Sequence, residues 1–221
     1  DKIVTWIKDY INNAGLKSLF INLSNCDVES ALVALLCKKT GISTYIIDID
    51  SIRAQSSIVE KFAAENGINY IWDAGRDIYS DISSRFEQNN FKFNIKYNRK
   101  ATDLLRASVK YSIMNYYVAH FNGLLVGSNN RNEMGLIRNY NKFGTDIAPI
   151  ADLFKSECYD LFKHLSKDVS ANNIVRYSIE DTYSSGNKLI SGLTNEEIEW
   201  ADREEVRTQI AFGPALIGMV I

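Results

Sequence analysis

Proline is almost missing from this chain: Pro149 and Pro214 are the only two in 221 residues. Cysteine is scarce too, with Cys26, Cys37 and Cys158 an odd number without CxxC spacing. That excludes a disulfide framework, and with His120 and His164 the only histidines no zinc-ligand pattern remains. A reducing, cytoplasmic setting is the expectation. No apolar run is long enough to cross a bilayer, and no signal-peptide pattern opens the chain, so no membrane partner is expected. The 25 basic and 27 acidic residues leave a net charge of −2, too balanced to hold nucleic acid non-specifically. Internal repeats and linkers rich in Pro, Gly or Ser are absent. One domain over residues 1–221 is expected, since 46% hydrophobic residues suffice for a core at this length. The C-terminal "AFGPALIGMVI" has no stop signal and reads either as a docked tail or as a chain that continues.

What is present is alternation. Ile3, Trp6, Ile7, Tyr10 and Ile11 fall at helical spacing before Gly15, which predicts a helix. "KSLFINL", "STYIIDID", "INYIWD" and "GLLVGS" read as short buried strands. Between them lie helical patterns: Val28 to Lys39 with one apolar face, "SIVEKFAAENG", and a long helix over 102–121. Residues 75–100 read as helix plus loop. "DLFKSECYDLFKHL" and "TNEEIEWADREEV" follow as helices, the second opening with Thr194 and Glu197 in capping-box spacing. Trp6, Trp72 and Trp200 have core-like spacing, and His120 reads as a partly exposed helix residue. Apolar strands alternating with amphipathic helices predict an α/β fold, a doubly wound parallel sheet with helices on both faces. Ligands in such sheets bind at the carboxyl ends of the strands.

One such end carries "INLSNCDVESALVALLC", Ile21 to Cys37. Strand, loop and helix N-terminus is a geometry that holds phosphate, and such loops favour glycine, which lets backbone amides approach the anion. Here the loop is Ser-Asn-Cys-Asp, without glycine. It reads either as an altered nucleotide loop or as a plain strand-to-helix turn.

The second end is more informative. In "GLLVGSNNRNEMGLIRNYNKFGTDIAPIADLFK" (123–155), Gly127, Ser128, Asn130, Glu133, Lys142, Gly144, Asp146, Pro149, Leu153 and Lys155 stand in order. The stretch resembles the ammonia-dependent NAD synthetases of the N-type ATP pyrophosphatase (adenine nucleotide alpha-hydrolase-like) superfamily. That family carries V-x-G-T-x-N-x-S-E, then G-Y-x-T-K-[YF]-G-D-G-x-x-D-[IL]-x-P-[IL], then L-x-K. Its next marker, P-S-A-D-L followed by G-Q-T-D-E, is similar to "YSSGNKLISGLTNEE", with Ser185, Gly192 and Thr194 in step. Its S-G-G-x-D-S falls on the glycine-free loop, and the likeness extends over most of the chain.

The resemblance implies an ATP-dependent amide ligase: ATP adenylates the carboxylate of nicotinic acid adenine dinucleotide, and ammonia attacks the adenylate. It implies ATP and Mg²⁺, and a homodimer with the dinucleotide at the subunit interface. A glutaminase domain does not fit the chain, so nitrogen would come as free ammonia or from a separate partner. Glu133 aligns with the family's Mg²⁺-binding glutamate, suited to a hard cation; the alternative is a solvated loop glutamate. Glu29 takes the place of the other metal carboxylate, although a loop one residue longer admits Asp27 instead. Helix-terminus preferences alone predict acids at those positions.

Ser24, Asn25 and Ser30 align with the pyrophosphate loop, where Asn25 and Cys26 replace two glycines and make positive φ harder, less so for Asn. Without a neighbouring histidine, Cys26 reads as a small buried residue. Lys142 and Lys155 align with phosphate-contacting lysines assigned to catalysis. Ser128 and Ser185 keep hydroxyls that face ATP or pyrophosphate in the family. Asn130 and Asp146 are implied in substrate binding, together with Arg106 or, without a gap, Lys110. "KFGTD" is a few residues shorter than the family's loop and lacks the aspartate after glycine, which implies poor turnover of nicotinic acid adenine dinucleotide. Two rival expectations stand: a weak or inactive homologue serving as a nucleotide-binding or assembly subunit, and an ATP pyrophosphatase that activates a different acceptor.

Overall fold

The computed structural model describes residues 1–49, 53–94, 96–136, 144–166, 171–175 and 194–203. Four parallel strands, β1 (Ser18–Asn22), β2 (Ser43–Ile49), β3 (Asn69–Asp73) and β4 (Gly123–Leu125), pair in the order β3-β2-β1-β4. Helices α1 (Lys2–Asn13), α2 (Val28–Lys39), α3 (Arg53–Glu65), α4 (Arg76–Lys92) and α5 (Arg99–His120) belong to this half. Helices α6 (Arg131–Leu136), α7 (Lys155–Leu165) and α8 (Asn195–Arg203) follow β4.

Period-two alternation along the strands sorts side chains to two faces. Leu19, Ile21, Ile46 and Leu124 enter one core with Ile7, Ile11, Leu32, Phe62 and Phe162. Phe20, Ile47 and Leu125 enter a second core with Val109, Ile113 and Met114 of α5. Helices therefore cover both faces, as the alternation predicts. In β1, Phe20 sits opposite Tyr45 of β2 and Leu125 of β4. The chain winds outward from β1 in both directions, so the crevice between the carboxyl ends of β1 and β4 is the topological switch point.

Three sequence expectations are corrected. Helix α2 has no single apolar face; Val28 through Cys37 are all buried, because the helix lies between the sheet, α1 and α7 and is surrounded. The tryptophans are not core: Trp6, Trp72 and Trp200 are 45%, 55% and 59% exposed. Trp6 faces outward beside Tyr10, with ring centroids 5.8 Å apart, while its neighbour Ile7 takes the buried position. Finally, residues 131–136 are helical rather than loop, and α7 begins at Lys155 after a turn over 149–152.

Beyond β4 the chain returns along its edge. Val126 bridges Ile147 in parallel, and Asp146 clasps Leu125: its N–H donates to the Leu125 carbonyl (2.9 Å) and its Oδ2 accepts the Leu125 N–H (2.7 Å). Gly127 packs directly on the Thr145 side chain. No described helix is long and apolar enough to cross a membrane.

Candidate active site

The first loop is built by its own polar side chains. Leu23 N–H donates to Ile47 carbonyl (3.1 Å), keeping the chain on β2 for one residue past β1. Ser24 is buried. Its Oγ donates to Asn22 Oδ1 (2.5 Å) and accepts the Ile49 N–H (2.9 Å), so the hydroxyl fastens the loop to the end of β2. The positive φ that glycine would supply falls on Cys26, at 54°; Asn25, the residue better suited to it, is exposed instead. Asp27 caps α2, its Oδ1 accepting the Ser30 N–H at 2.7 Å. Burial, followed by the charges of Asp27 and Asp48, pushes the Cys26 thiol up to about 12, which agrees with an inert packing residue.

Capping forces the next residues inward. Glu29 and Ser30, in the first turn of α2, are 4% and 3% exposed. Ser30 Oγ donates to Ser128 Oγ at 2.9 Å, and Asn130 Nδ2 donates to Glu29 Oε1 at 3.1 Å. The loops after β1 and β4 are thereby joined twice. Lys155, the first residue of α7, places Nζ 3.2 Å from the same Glu29 oxygen. Asn130 Oδ1 also accepts the Glu133 N–H at 3.0 Å, an N-cap contact that starts α6 and turns Glu133 toward Glu29.

Three carboxylates and one ammonium therefore share a half-sealed crevice. The Glu133 pKa is pushed up to about 7, first by burial and then by Glu29; the Lys155 charge and the Asn130 backbone oppose the shift. Asp27 is raised to about 6 by burial and Glu29, against hydrogen bonds from Ser30 and the Lys155 charge. Burial works against the charge on Lys155, but Glu29, Tyr159 and Glu133 outweigh it, and its pKa rises. The crevice carries more negative charge than one lysine balances.

That imbalance suits a hard divalent cation. Mg²⁺ takes one or two carboxylates and completes its shell with phosphate oxygens and water. Glu133 and Glu29 are the carboxylates that could offer it oxygens, and a cation there would oppose the burial and Glu29 repulsion that raise Glu133. Among the described residues no group of three or more His, Cys, Asp or Glu is arranged to hold a metal unaided. The donor set fits an ion that arrives with a polyphosphate.

Of the residues singled out in the sequence, Ser24, Asn25, Glu29, Ser30, Ser128, Asn130, Glu133 and Lys155 gather at the carboxyl ends of β1 and β4. Asn130 is fully buried, a brace between the two glutamates. Asp146 holds the sheet edge. Arg106 stands apart, its guanidinium 4.9 Å from the Tyr79 ring centroid on the α4–α5 side. His120 is exposed, stacked on Tyr116 at 6.0 Å. Lys142 and Ser185 lie outside the described residues. A cavity of about 440 Å³ opens between α4 and α5, lined by Ile82, Leu105, Val109 and Ile113. Its lining is mostly apolar and includes neither the glutamates nor Lys155. Sequence reasoning missed Asn132 and Glu199. Asn132 is 1% exposed and its Oδ1 accepts the Lys155 N–H at 3.2 Å.

Fold and crevice define a doubly wound α/β protein whose charged site spans the switch point. A family model described as NAD synthase matches residues 1–177. An NH(3)-dependent NAD(+) synthetase of Alkaliphilus oremlandii is 33% identical over 173 residues, covering 75% of this chain and 69% of the relative. Another from Archaeoglobus fulgidus is 27% identical over 220 residues, 96% of this chain and 83% of the relative. Among solved structures, NMN synthetase from Francisella tularensis superposes with a TM-score of 0.75 at 21% identity, covering 89% of this chain and 81% of that one. The NH3-dependent NAD synthetase from Campylobacter jejuni gives 0.67 at 21% identity, covering 91% and 90%. The chain belongs to the NAD synthase family.

Proposed function

We propose that this chain, as a single catalytic domain, is an ATP-dependent ligase that converts a nicotinate carboxylate to its amide with ammonia. The observation that carries the reading is the meeting of Lys155, Glu29 and Glu133 beside the Ser30–Ser128 hydroxyl pair. A descendant kept only as an assembly subunit has no use for a buried, charge-imbalanced crevice, which lowers stability. In the reaction, a carboxylate oxygen of the acceptor attacks the α-phosphorus of ATP and pyrophosphate leaves. Ammonia then attacks the acyl carbon, AMP leaves, and the nitrogen loses a proton.

Glu29 and Glu133 would hold Mg²⁺, which when bound neutralises phosphate charge. Lys155 offers a compact positive charge to the departing phosphates, and the Ser30 and Ser128 hydroxyls offer donors. Lys142 and Ser185 complete the phosphate set on this reading. A homodimer would cover the apolar face of α4 and α5, where Ile78, Phe86, Phe91 and Tyr116 are exposed.

A second reading concerns the acceptor. The Asp146 carboxylate is engaged by the Leu125 N–H, so it does not replace the acidic group absent from the shortened "KFGTD" loop. A smaller acceptor, nicotinate mononucleotide, is favoured over the dinucleotide, and the Francisella tularensis neighbour is itself an NMN synthetase. The test is one assay with ATP, Mg²⁺ and ammonium, run with each acceptor, following AMP and the amide product. Turnover near one per second with the dinucleotide, ordinary for enzymes, would reject the smaller-acceptor reading. No amide from either acceptor would reject the ligase reading.

A further inference from the structure

The first turn of α7 is held largely from outside its own helix. An α-helix begins with backbone N–H groups that have no partner in the helix, and Phe154, at the N-cap, has no side-chain acceptor to offer. Three side chains on three elements fill the gap. Glu157 Oε2 accepts the Phe154 N–H at 2.8 Å. Asn132 Oδ1, from α6, accepts the Lys155 N–H at 3.2 Å. Glu199 Oε1, from α8, accepts the Ser156 N–H at 3.1 Å, and its Oε2 accepts Ser156 Oγ at 2.5 Å. Asn132 and Glu199 are themselves joined, Asn132 Nδ2 donating to Glu199 Oε1 at 3.3 Å.

We infer that Glu199 is a positioning residue for the site: with Asn132 it clamps the first turn of α7 and so aims the Lys155 ammonium at Glu29. Lys155 is the first residue of that turn, so any swing of the turn moves Nζ away from a partner 3.2 Å off. Charge favours the arrangement, because a carboxylate at a helix N-terminus meets the positive end of the dipole. Glu199 lies beyond the residues matched by the family model, 1–177, and on a helix separated from α7 by a long stretch of chain. Docking of α8 thereby becomes a condition for a correctly aimed lysine. The catalytic consequence rests on the ligase reading; the clamp itself does not.

The experiment separates the two. Lys155 is 19% exposed and ion-paired, so it should react slowly with acetic anhydride, read by mass spectrometry. Lys38, whose ammonium donates to the Gly67 carbonyl away from the crevice, serves as the internal control. Glu199→Ala should speed acetylation of Lys155 about ten-fold, the equivalent of one lost charge-assisted hydrogen bond, and leave Lys38 unchanged. Glu199→Gln, which keeps one acceptor oxygen, should fall between. In the amide-forming assay Glu199→Ala should lower kcat/KM roughly ten- to a hundred-fold, yet cost almost nothing further in a Lys155→Ala background. Unchanged Lys155 labelling, equal acceleration at Lys38, or additive losses in the double variant would each overturn the clamp. If the parent protein forms no amide with either acceptor, the ligase reading fails and the labelling alone decides the clamp.

Discussion

Replacing Glu133 by glutamine should make the ligand-free protein more stable above neutral pH. The carboxylate titrates near 4.5 in an unfolded chain and about 7 here. Between those values the folded state binds more protons than the unfolded state, so stability falls as pH rises. This group's contribution is complete below about 4.5 and is lost as pH rises through about 7. The distance between those two values corresponds to about 3 kcal/mol. Glu133 is only partly buried, water screens its open side, and about 1–2 kcal/mol is the expected gain. Glutamine removes the charge and keeps the shape, and it serves as well as glutamate behind an Asn cap. For a domain of this size that is a rise in Tm of about 2–8 °C. Thermal melts of parent and Glu133→Gln should coincide near pH 4 and separate by pH 8.5, with the variant higher. With Mg²⁺ and ATP the order should reverse, because a bound ligand stabilises only the protein that binds it. Equal melting at pH 8.5, or a variant that melts lower there without ligand, would refute the idea that crevice charge destabilises the free protein.

Three further outcomes are expected. Lys155→Met should destabilise by about 3 kcal/mol in urea denaturation, because Glu29 is left buried without its cation, and Lys155→Met with Glu29→Gln should recover most of the loss. Gly127→Ala would set a methyl against Thr145 and 3.3 Å from the Ile147 carbonyl oxygen; a loss of about 1–3 kcal/mol should be partly restored by Thr145→Ala, read from the same urea curves. Cys26→Gly should change stability by no more than about 1 kcal/mol, since relief at positive φ is offset by a lost buried side chain and a freer unfolded chain. The same change should tighten Mg²⁺–ATP in calorimetry, whereas unaltered binding would mean that the loop is not a degraded phosphate cradle.

The sheet was legible because its code is local. "KSLFINL", "STYIIDID" and "INYIWD" are apolar runs bounded by turn residues, and each became a strand. The capping box at Thr194 is likewise local, and both halves form: Thr194 N–H to Glu197 Oε2 at 2.6 Å and Glu197 N–H to Thr194 Oγ1 at 3.2 Å. Helix α6 escaped because six residues containing Gly135 carry no apolar period, although Asn130 followed three residues later by Glu133 is itself a helix-start signal. The tryptophans misled because spacing gives a side chain's face but not which face the rest of the chain covers. Ser24 matched the motif, yet its hydroxyl braces the loop, a role that depends on β2 and is invisible in one segment. Glu199 looked like any acid on a solvated helix, since nothing in its neighbourhood foretells a partner from position 156.

The clasp of Asp146 on Leu125 reaches beyond the crevice. Among the described residues β4 is the last strand on its side of the sheet, and a bare edge strand recruits strands from other molecules. Asp146 occupies the outward amide and carbonyl of Leu125 and sets a carboxylate where an incoming strand would pair. The segment that carries Asp146 thus also blunts the open edge of the sheet against strand pairing. Redesigning that segment for a new acceptor carries a solubility risk, and libraries that vary it should hold residue 146 fixed.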